Sequence, residues 1–176
     1  MWPTAFWGYE MTDLTSRILD AYRAAKLRIT TAESCTGGMV AAALTDRPGS
    51  SDVFDRGVVT YSNAAKSDLL GVRPATLEAF GAVSQEVAAE MATGALKASA
   101  AQVAVSVTGI AGPGGSDFKP EGRVCFGLAI TGCDTLTETV EFGAAGRGAV
   151  RQAATDHALG LLLSALDRRK DKLTGH

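Results

Sequence analysis

The chain has 176 residues, 46% of them hydrophobic and 20% charged, and a formal net charge of -2. These values fit a single soluble globular domain with a substantial core, and they lack the strongly basic footprint of a nucleic-acid binder. No apolar run approaches the roughly 18 residues that a membrane helix needs, and three widely spaced cysteines (Cys35, Cys125, Cys133) with only two histidines (His157, His176) argue against a disulfide framework, a zinc site or a histidine-based metal site.

The opening MWPTAFWGYE holds both tryptophans but has no basic n-region and no long apolar stretch, so it does not read as a signal peptide. Residues 1–12 are expected to form an N-terminal extension, with Met11 as an alternative start. Residues 13–170 are expected to form one domain and 171–176 a tail, and the cytoplasm is the expected compartment. Within the domain, 14–26 carries Leu14, Ile18, Leu19 and Tyr22 at helical spacing and reads as an amphipathic helix. LRITTA (27–32) reads as a strand. GGMVAAALTD (37–46) reads as a helix apolar on several sides, and hence buried. RPGSS (47–51) is a loop, and GVVTYS (57–62) is a second strand.

Ser62 reads as the N-cap of NAAKSDLL, with Gly71 just past its end. PATLEAFG (74–81) is a short helix opened by proline, and Ser84 caps a longer one over 85–100. QVAVSVTG (102–109) is a strongly apolar strand, followed by the glycine-rich loop 110–122. RVCFGLAIT (123–131) and TLTETVEF (135–142), joined by a short turn, predict an antiparallel hairpin. The segment 147–168 is a final amphipathic helix with Val150, Ala154, His157, Ala158, Leu161 and Leu162 on or near one face. Strands alternating with helices up to about residue 109 imply parallel pairing, and the hairpin then makes the sheet mixed. The expected fold is α/β: a three-layer α/β/α sandwich around a mixed, mostly parallel sheet of about five strands.

Open α/β sheets bind ligands outside the carboxyl ends of their strands. TAESCTGG, TYSNAAK and VTGIAGPGG leave three such ends, and the polar and glycine-rich content concentrates there. Ser34 is a candidate nucleophile at a strand-to-helix elbow, and backbone N–H groups around Cys35, Thr36, Gly37 and Gly38 are candidate oxyanion donors. A serine needs a base. His157 sits inside a predicted helix, which leaves lysine or a carboxylate. Lys66 lies in the first turn of its helix, where the dipole and burial would lower its pKa; a solvated surface lysine is the alternative. Cys35 is a rival nucleophile that a helix N-terminus would acidify, or a small buried residue. Glu33 is either a hydrogen-bonding partner or a loop carboxylate, and Tyr61 either a proton relay or a strand aromatic. Arg147 and Arg151, one helical turn apart at the start of the last helix, hint at an anionic partner, with solvated charge the alternative. The loop from Thr108 to Gly115 is able to present several N–H groups to an anion, but it is neither a Walker A loop nor GxGxxG.

TAESCTGG at 31–38, VVTYSNAAKSDLLGV at 58–72, GAVSQEVAAEMATGAL at 81–96, AVSVTGIAGPGG at 104–115, KPEGRV and an arginine-led last helix together resemble the CinA C-terminal domain family over residues 13–166. The resemblance implies a three-layer α/β/α fold. It also implies an amidohydrolase of pyridine nucleotide salvage that converts nicotinamide mononucleotide (NMN) to nicotinate mononucleotide and ammonia, with no cofactor and no metal. By the same resemblance Ser34 is the nucleophile, Lys66 the base and Tyr61 a further catalytic residue. The resemblance further implies that Thr108, Gly109, Ile110, Ala111, Gly112, Gly114 and Arg147 contact the substrate. Two departures stand out. The Gly-Asp-Arg of many members reads Ala145-Gly146-Arg147, and the sequence is expected to be a stand-alone form without the N-terminal domain of many relatives. The expected partner is a small-molecule pyridine mononucleotide, not nucleic acid or membrane, in a homo-oligomer. The rival reading is a nucleotide-binding or regulatory module of the same fold without catalysis.

Overall fold

A computed structural model describes residues 7–116 and 118–174. In chain order the elements are α1 (Trp7–Ala25), β1 (Ile29–Glu33), α2 (Met39–Thr45), a 3-10 turn (Ser50–Asp52), β2 (Phe54–Val59), α3 (Asn63–Leu70), α4 (Pro74–Phe80), α5 (Gln85–Lys97), β3 (Val103–Gly109), β4 (Arg123–Ile130), β5 (Leu136–Glu141) and α6 (Arg147–Thr174). The five strands form one sheet in the order β2-β1-β3-β4-β5. β1 pairs in parallel with both β2 and β3, and β4 runs antiparallel to both β3 and β5. The chain leaves β1 for β2 on one side, then crosses back over β1 to β3. The carboxyl end of β1 is therefore a point where the chain diverges, and such a crevice is where open α/β sheets bind ligands.

The two faces of the sheet are built differently, and β3 shows why. Val103, Val105 and Val107 point to one side and are fully buried with Ile18, Ile29, Val40, Leu159 and Leu162 of α1, β1, α2 and α6. Ala104 and Ala129 point to the other side and pack on Val87, Met91 and Ala92 of α5. Small residues there let α5 come close. The Ser106 hydroxyl donates to the Ala88 carbonyl at 2.6 Å, and a Cβ at Gly127 would strike that same carbonyl. A strand buried on both faces reads as a continuous apolar run, which is why β3 stands out in the sequence.

Local capping follows the expected chemistry. The Ser62 hydroxyl accepts from Ala65 N–H at 3.0 Å, and that of Ser84 accepts from Val87 N–H at 3.2 Å. Each satisfies one of the free donors of a helix start. Gly71 ends α3 at φ 68°, the left-handed conformation glycine adopts without penalty.

Several boundaries differ from the sequence reading. α1 begins at Trp7, so the segment expected as an extension is helical from that point, while residues 1–6 lie outside the described residues. α6 runs to Thr174, through most of the expected tail, with 175–176 again outside the described residues. β1 ends one residue later than expected, at Glu33, and β2 is shifted three residues earlier, so Tyr61 lies beyond the strand rather than on its end. α2 was expected to be buried, but only Val40 and Leu44 are. Its alanines leave it thin enough to cover the sheet with one face and show solvent the other. On α6, Leu159 is fully buried, whereas His157 is only partly so. The His157 ring stacks on Phe126 at 4.6 Å between centroids and its Nε2 meets the Glu138 carboxylate. Among the described residues no helix is long and apolar enough to cross a membrane.

Candidate active site

The register of the parallel strands sets the site. Glu33 is the last residue of β1, paired with Val59 on one side and Val107 on the other. One residue further on, Ser34 N–H donates to the Val107 carbonyl at 2.9 Å. On the opposite flank Thr60 N–H donates to the Glu33 carbonyl at 2.8 Å. Both neighbours thus pin the backbone where the chain turns into α2, so Ser34 stands at the carboxyl edge with little freedom.

Glu33 explains the turn. Its side chain is 1% exposed and curls over the start of α2, accepting from Gly38 N–H at 3.0 Å, Val40 N–H at 3.1 Å and Ala41 N–H at 2.8 Å. The N-cap position itself is Gly38, which has no side chain to cap with. The carboxylate satisfies the free donors of the first turn and favours the positive end of the helix. It is a capping group with its acceptors committed, not a base facing the pocket.

Lys66 comes from the other flank. The Ser62 cap starts α3 so that the fourth helical residue points back under the sheet edge, and Lys66 is 2% exposed. Its Nζ donates to the Thr60 carbonyl at 2.9 Å and lies 3.0 Å from Ser34 Oγ. As an ammonium it donates to the serine hydroxyl; as a neutral amine it accepts from it. Burial disfavours the charged form and lowers the Lys66 pKa from 10.5, opposed only by the nearby Cys35 thiol. The solvated-surface alternative for Lys66 is thereby excluded.

Of the two readings of Cys35, the small buried residue is the one that fits. It is 5% exposed, and burial pushes its thiol up to about 11, against smaller opposing effects from its own backbone N–H, Arg151 and Lys66. A thiolate is scarce at neutral pH, and a free thiol is a poor nucleophile.

Ser34, Cys35, Tyr61, Asn63, Lys66, Ala82, Val83, Thr108, Gly109, Ala111 and Arg147 line a cavity of about 240 Å³. The sequence reading missed Asn63, Ala82 and Val83. Asn63 opens α3 and lies one helical turn before Lys66; that spacing was the available signal. Ala82 and Val83 are brought in by the Thr108 hydroxyl, which donates to the Ala82 carbonyl at 2.7 Å, a contact with no local signature.

Tyr61 and Arg147 line this cavity without a hydrogen bond to Ser34 or Lys66. Tyr61 is exposed, and its hydroxyl accepts from Arg147 Nη2 at 2.6 Å rather than bonding to Ser34 or Lys66. Arg147 Nη1 donates to the Gly112 carbonyl at 2.8 Å. Tyr61, Arg147 and Gly112 thus form a chain across the cavity mouth. The glycine-rich loop is not an open anion cradle. Ile110 N–H donates to the Arg123 carbonyl at 2.9 Å, and Gly114 N–H donates to the Glu121 carboxylate at 2.7 Å. A Cβ at Gly112 would collide with the same Glu121 side chain. The glycines let the loop fold around an internal carboxylate.

Thr36, Gly37 and Gly38 do not line the cavity. Gly37 N–H donates to the Ser34 carbonyl at 3.0 Å and Gly38 N–H to Glu33. This removes two of the expected oxyanion donors, and with Thr36 away from the cavity it leaves the amide of Cys35.

The sequence model of the CinA C-terminal domain matches residues 11–166. A CinA-like protein of Mycobacterium marinum is 49% identical over 160 residues, covering 90% of this chain but only 36% of that protein. The chain thus spans about a third of the length of these longer CinA-like relatives. The nicotinamide-nucleotide amidohydrolase PncC of Escherichia coli is 50% identical over 151 residues, covering 85% of this chain and 91% of that protein. Among solved structures, the competence/damage inducible protein CihA of Agrobacterium tumefaciens superposes with a TM-score of 0.88 at 45% identity, over 93% of this chain and 99% of that one. With the fold, the polar strand ends and these relatives in agreement, the chain belongs to the CinA C-terminal domain family.

Proposed function

We propose that this protein is an amidohydrolase that converts NMN to nicotinate mononucleotide and ammonia, in pyridine nucleotide salvage, with Ser34 as nucleophile and Lys66 as general base. The observation that carries the reading is the buried Lys66 amine 3.0 Å from Ser34 Oγ. A serine–lysine pair of this kind activates a hydroxyl without histidine. The substrate reading is supported by the E. coli relative, a nicotinamide-nucleotide amidohydrolase half identical to this chain over nearly its whole length.

In the reaction, neutral Lys66 takes the Ser34 proton as Oγ attacks the carboxamide carbon. The oxyanion that forms is held by the Cys35 amide. Lys66, now an ammonium, returns the proton to the amide nitrogen; the C–N bond breaks and ammonia leaves an ester on Ser34. Water enters, gives a proton to Lys66 and attacks the ester carbon. Ser34 recovers its proton and the carboxylic acid departs. The positive pyridinium withdraws electrons from the carboxamide and makes its carbon more electrophilic. Arg147 at the mouth is the group that meets the phosphate, exchanging its bonds to Tyr61 and Gly112 for the anion. The test is ammonia release from NMN by the purified protein, present in the wild type and absent in Ser34→Ala. A wild type that binds NMN without releasing ammonia would instead support the non-catalytic module.

A further inference from the structure

Arg151 is the one group of the arginine pair whose place the chemistry above leaves unexplained. The sequence sets it beside Arg147, as though both served an anion. The structure turns it the other way. Its Nε donates to the Cys35 carbonyl at 3.0 Å and its Nη2 to the Thr36 carbonyl at 3.2 Å. A guanidinium carried by α6 thus grips two consecutive peptides of the loop that follows Ser34.

We propose that Arg151 is a positioning residue that fixes the loop carrying the oxyanion-binding amide of Cys35, and that this reading rests on Ser34 being the nucleophile. In a trans peptide the C=O of one residue and the N–H of the next point in opposite directions. Drawing the Thr36 carbonyl toward Arg151 therefore turns Gly37 N–H away from it. The Ser34 carbonyl is held by that Gly37 N–H, which sets the direction of Cys35 N–H in the same manner. Among the described residues the Cys35 amide donates to no backbone carbonyl, and it belongs to the peptide that immediately follows the nucleophile.

The planar fork matters more than the charge, because two carbonyls are bound at once and a lysine offers a single point. Gly37 keeps the approach open: a Cβ there would lie 3.2 Å from Arg151 Nη2. Glu33 fixes the α2 end of the same loop through three amides. The elbow is thus held by a carboxylate on its N–H groups and a guanidinium on its carbonyls.

The test uses the full chain and a probe that needs no pyridine nucleotide. Di-isopropyl fluorophosphate phosphorylates an activated serine: an Oγ–P bond forms at Ser34, fluoride leaves, and the hydroxyl proton goes to Lys66. The phosphoryl oxygen needs the same amide donor as a tetrahedral oxyanion. Labelling is followed by intact mass and mapped to Ser34. Arg151→Lys and Arg151→Ala are expected to label roughly tenfold or more slowly than wild type, and guanidinium ion at millimolar concentration is expected to restore labelling in Arg151→Ala. On NMN, kcat falls by a comparable factor while KM changes by less than about threefold. Arg151→Lys keeps the charge and the aliphatic stem, so it covers the case in which the alanine variant does not fold. Wild-type labelling rates in Arg151→Lys, or a rise in KM with kcat unchanged, overturn the proposal, as does a wild type that the probe does not label at Ser34. A wild type that labels at Ser34 but does not hydrolyse NMN refutes the substrate reading, and the labelling ratio still decides the role of Arg151.

Discussion

Glu33→Gln isolates the capping role of a buried carboxylate. The wild-type side chain is 1% exposed and has no salt-bridge partner among the described residues; it is held by three backbone N–H groups, two on Oε2 and one on Oε1. Glutamine matches its shape but has one acceptor oxygen and one NH₂. In the better orientation its oxygen serves Gly38 and Val40, and its NH₂ confronts the Ala41 N–H. One charged hydrogen bond, worth about 1.5–3 kcal/mol, is lost, and the other two fall to neutral strength near 1 kcal/mol. Relief of the buried charge offsets part of this, leaving a net loss of about 2–4 kcal/mol. At about 2–4 °C per kcal/mol for a chain of this size, the melting temperature drops by roughly 4–16 °C. Urea unfolding of wild type and variant, with equal m-values, measures the difference directly. A variant within about 0.5 kcal/mol of wild type refutes the capping argument. Loss of activity with unchanged stability would make Glu33 a candidate base in place of Lys66.

Cys35→Ala is expected to keep most of the turnover of NMN, because a thiol pushed up to about 11 contributes packing rather than thiolate; an inactive Cys35→Ala beside an active Ser34→Ala hands the reaction to sulfur. For Lys66, lowered from 10.5 by burial, kcat/KM rises with pH through the lowered value as the amine becomes neutral, and Lys66→Arg is nearly inactive because a guanidinium keeps its proton. Retained activity in Lys66→Arg with the same pH profile leaves the lysine an electrostatic role only. The same shift acts on stability. Between the folded and unfolded pKa values the unfolded chain holds a proton on Lys66 that the folded chain has lost, so the contribution of this group to stability rises with pH across that window. Lys66→Met removes that slope, and urea midpoints at several pH values above neutrality check it. Arg147→Ala is expected to weaken kcat/KM for NMN by about 10- to 150-fold, the worth of a charged hydrogen bond of 1.5–3 kcal/mol, and far less for nicotinamide riboside; equal losses on both remove Arg147 from the phosphate.

Features that depend on a few neighbouring residues were legible in the sequence. Ser62 and Ser84 announce helix starts because a cap bonds three residues ahead. β3 announces itself because a doubly buried strand needs an unbroken apolar run. The polar stretch from Glu33 to Gly38 marked a site because a plain turn has no use for those groups together. The order of the parallel strands was enough to bring Ser34, Lys66 and Thr108 to one edge.

Which way each side chain points there was a tertiary matter. Glu33 became a cap because Gly38 offers α2 no cap of its own. Lys66 became buried because β2 ends at Val59, which lets α3 start under the edge beside Ser34. Tyr61, one residue past Thr60 on the same connection, was turned outward to Arg147. The glycine loop lost its Gly114 amide to Glu121, a residue at its far end. Arg147 and Arg151, alike in sequence, share a face of α6 but lie about 6 Å apart along its axis, so one reaches the cavity mouth and the other the back of the nucleophile loop. The local chain specifies which chemical groups reach the edge of the sheet. Their partners lie up to 116 residues away in sequence, and only the packing of α3 and α6 against the sheet decides which donor meets which acceptor.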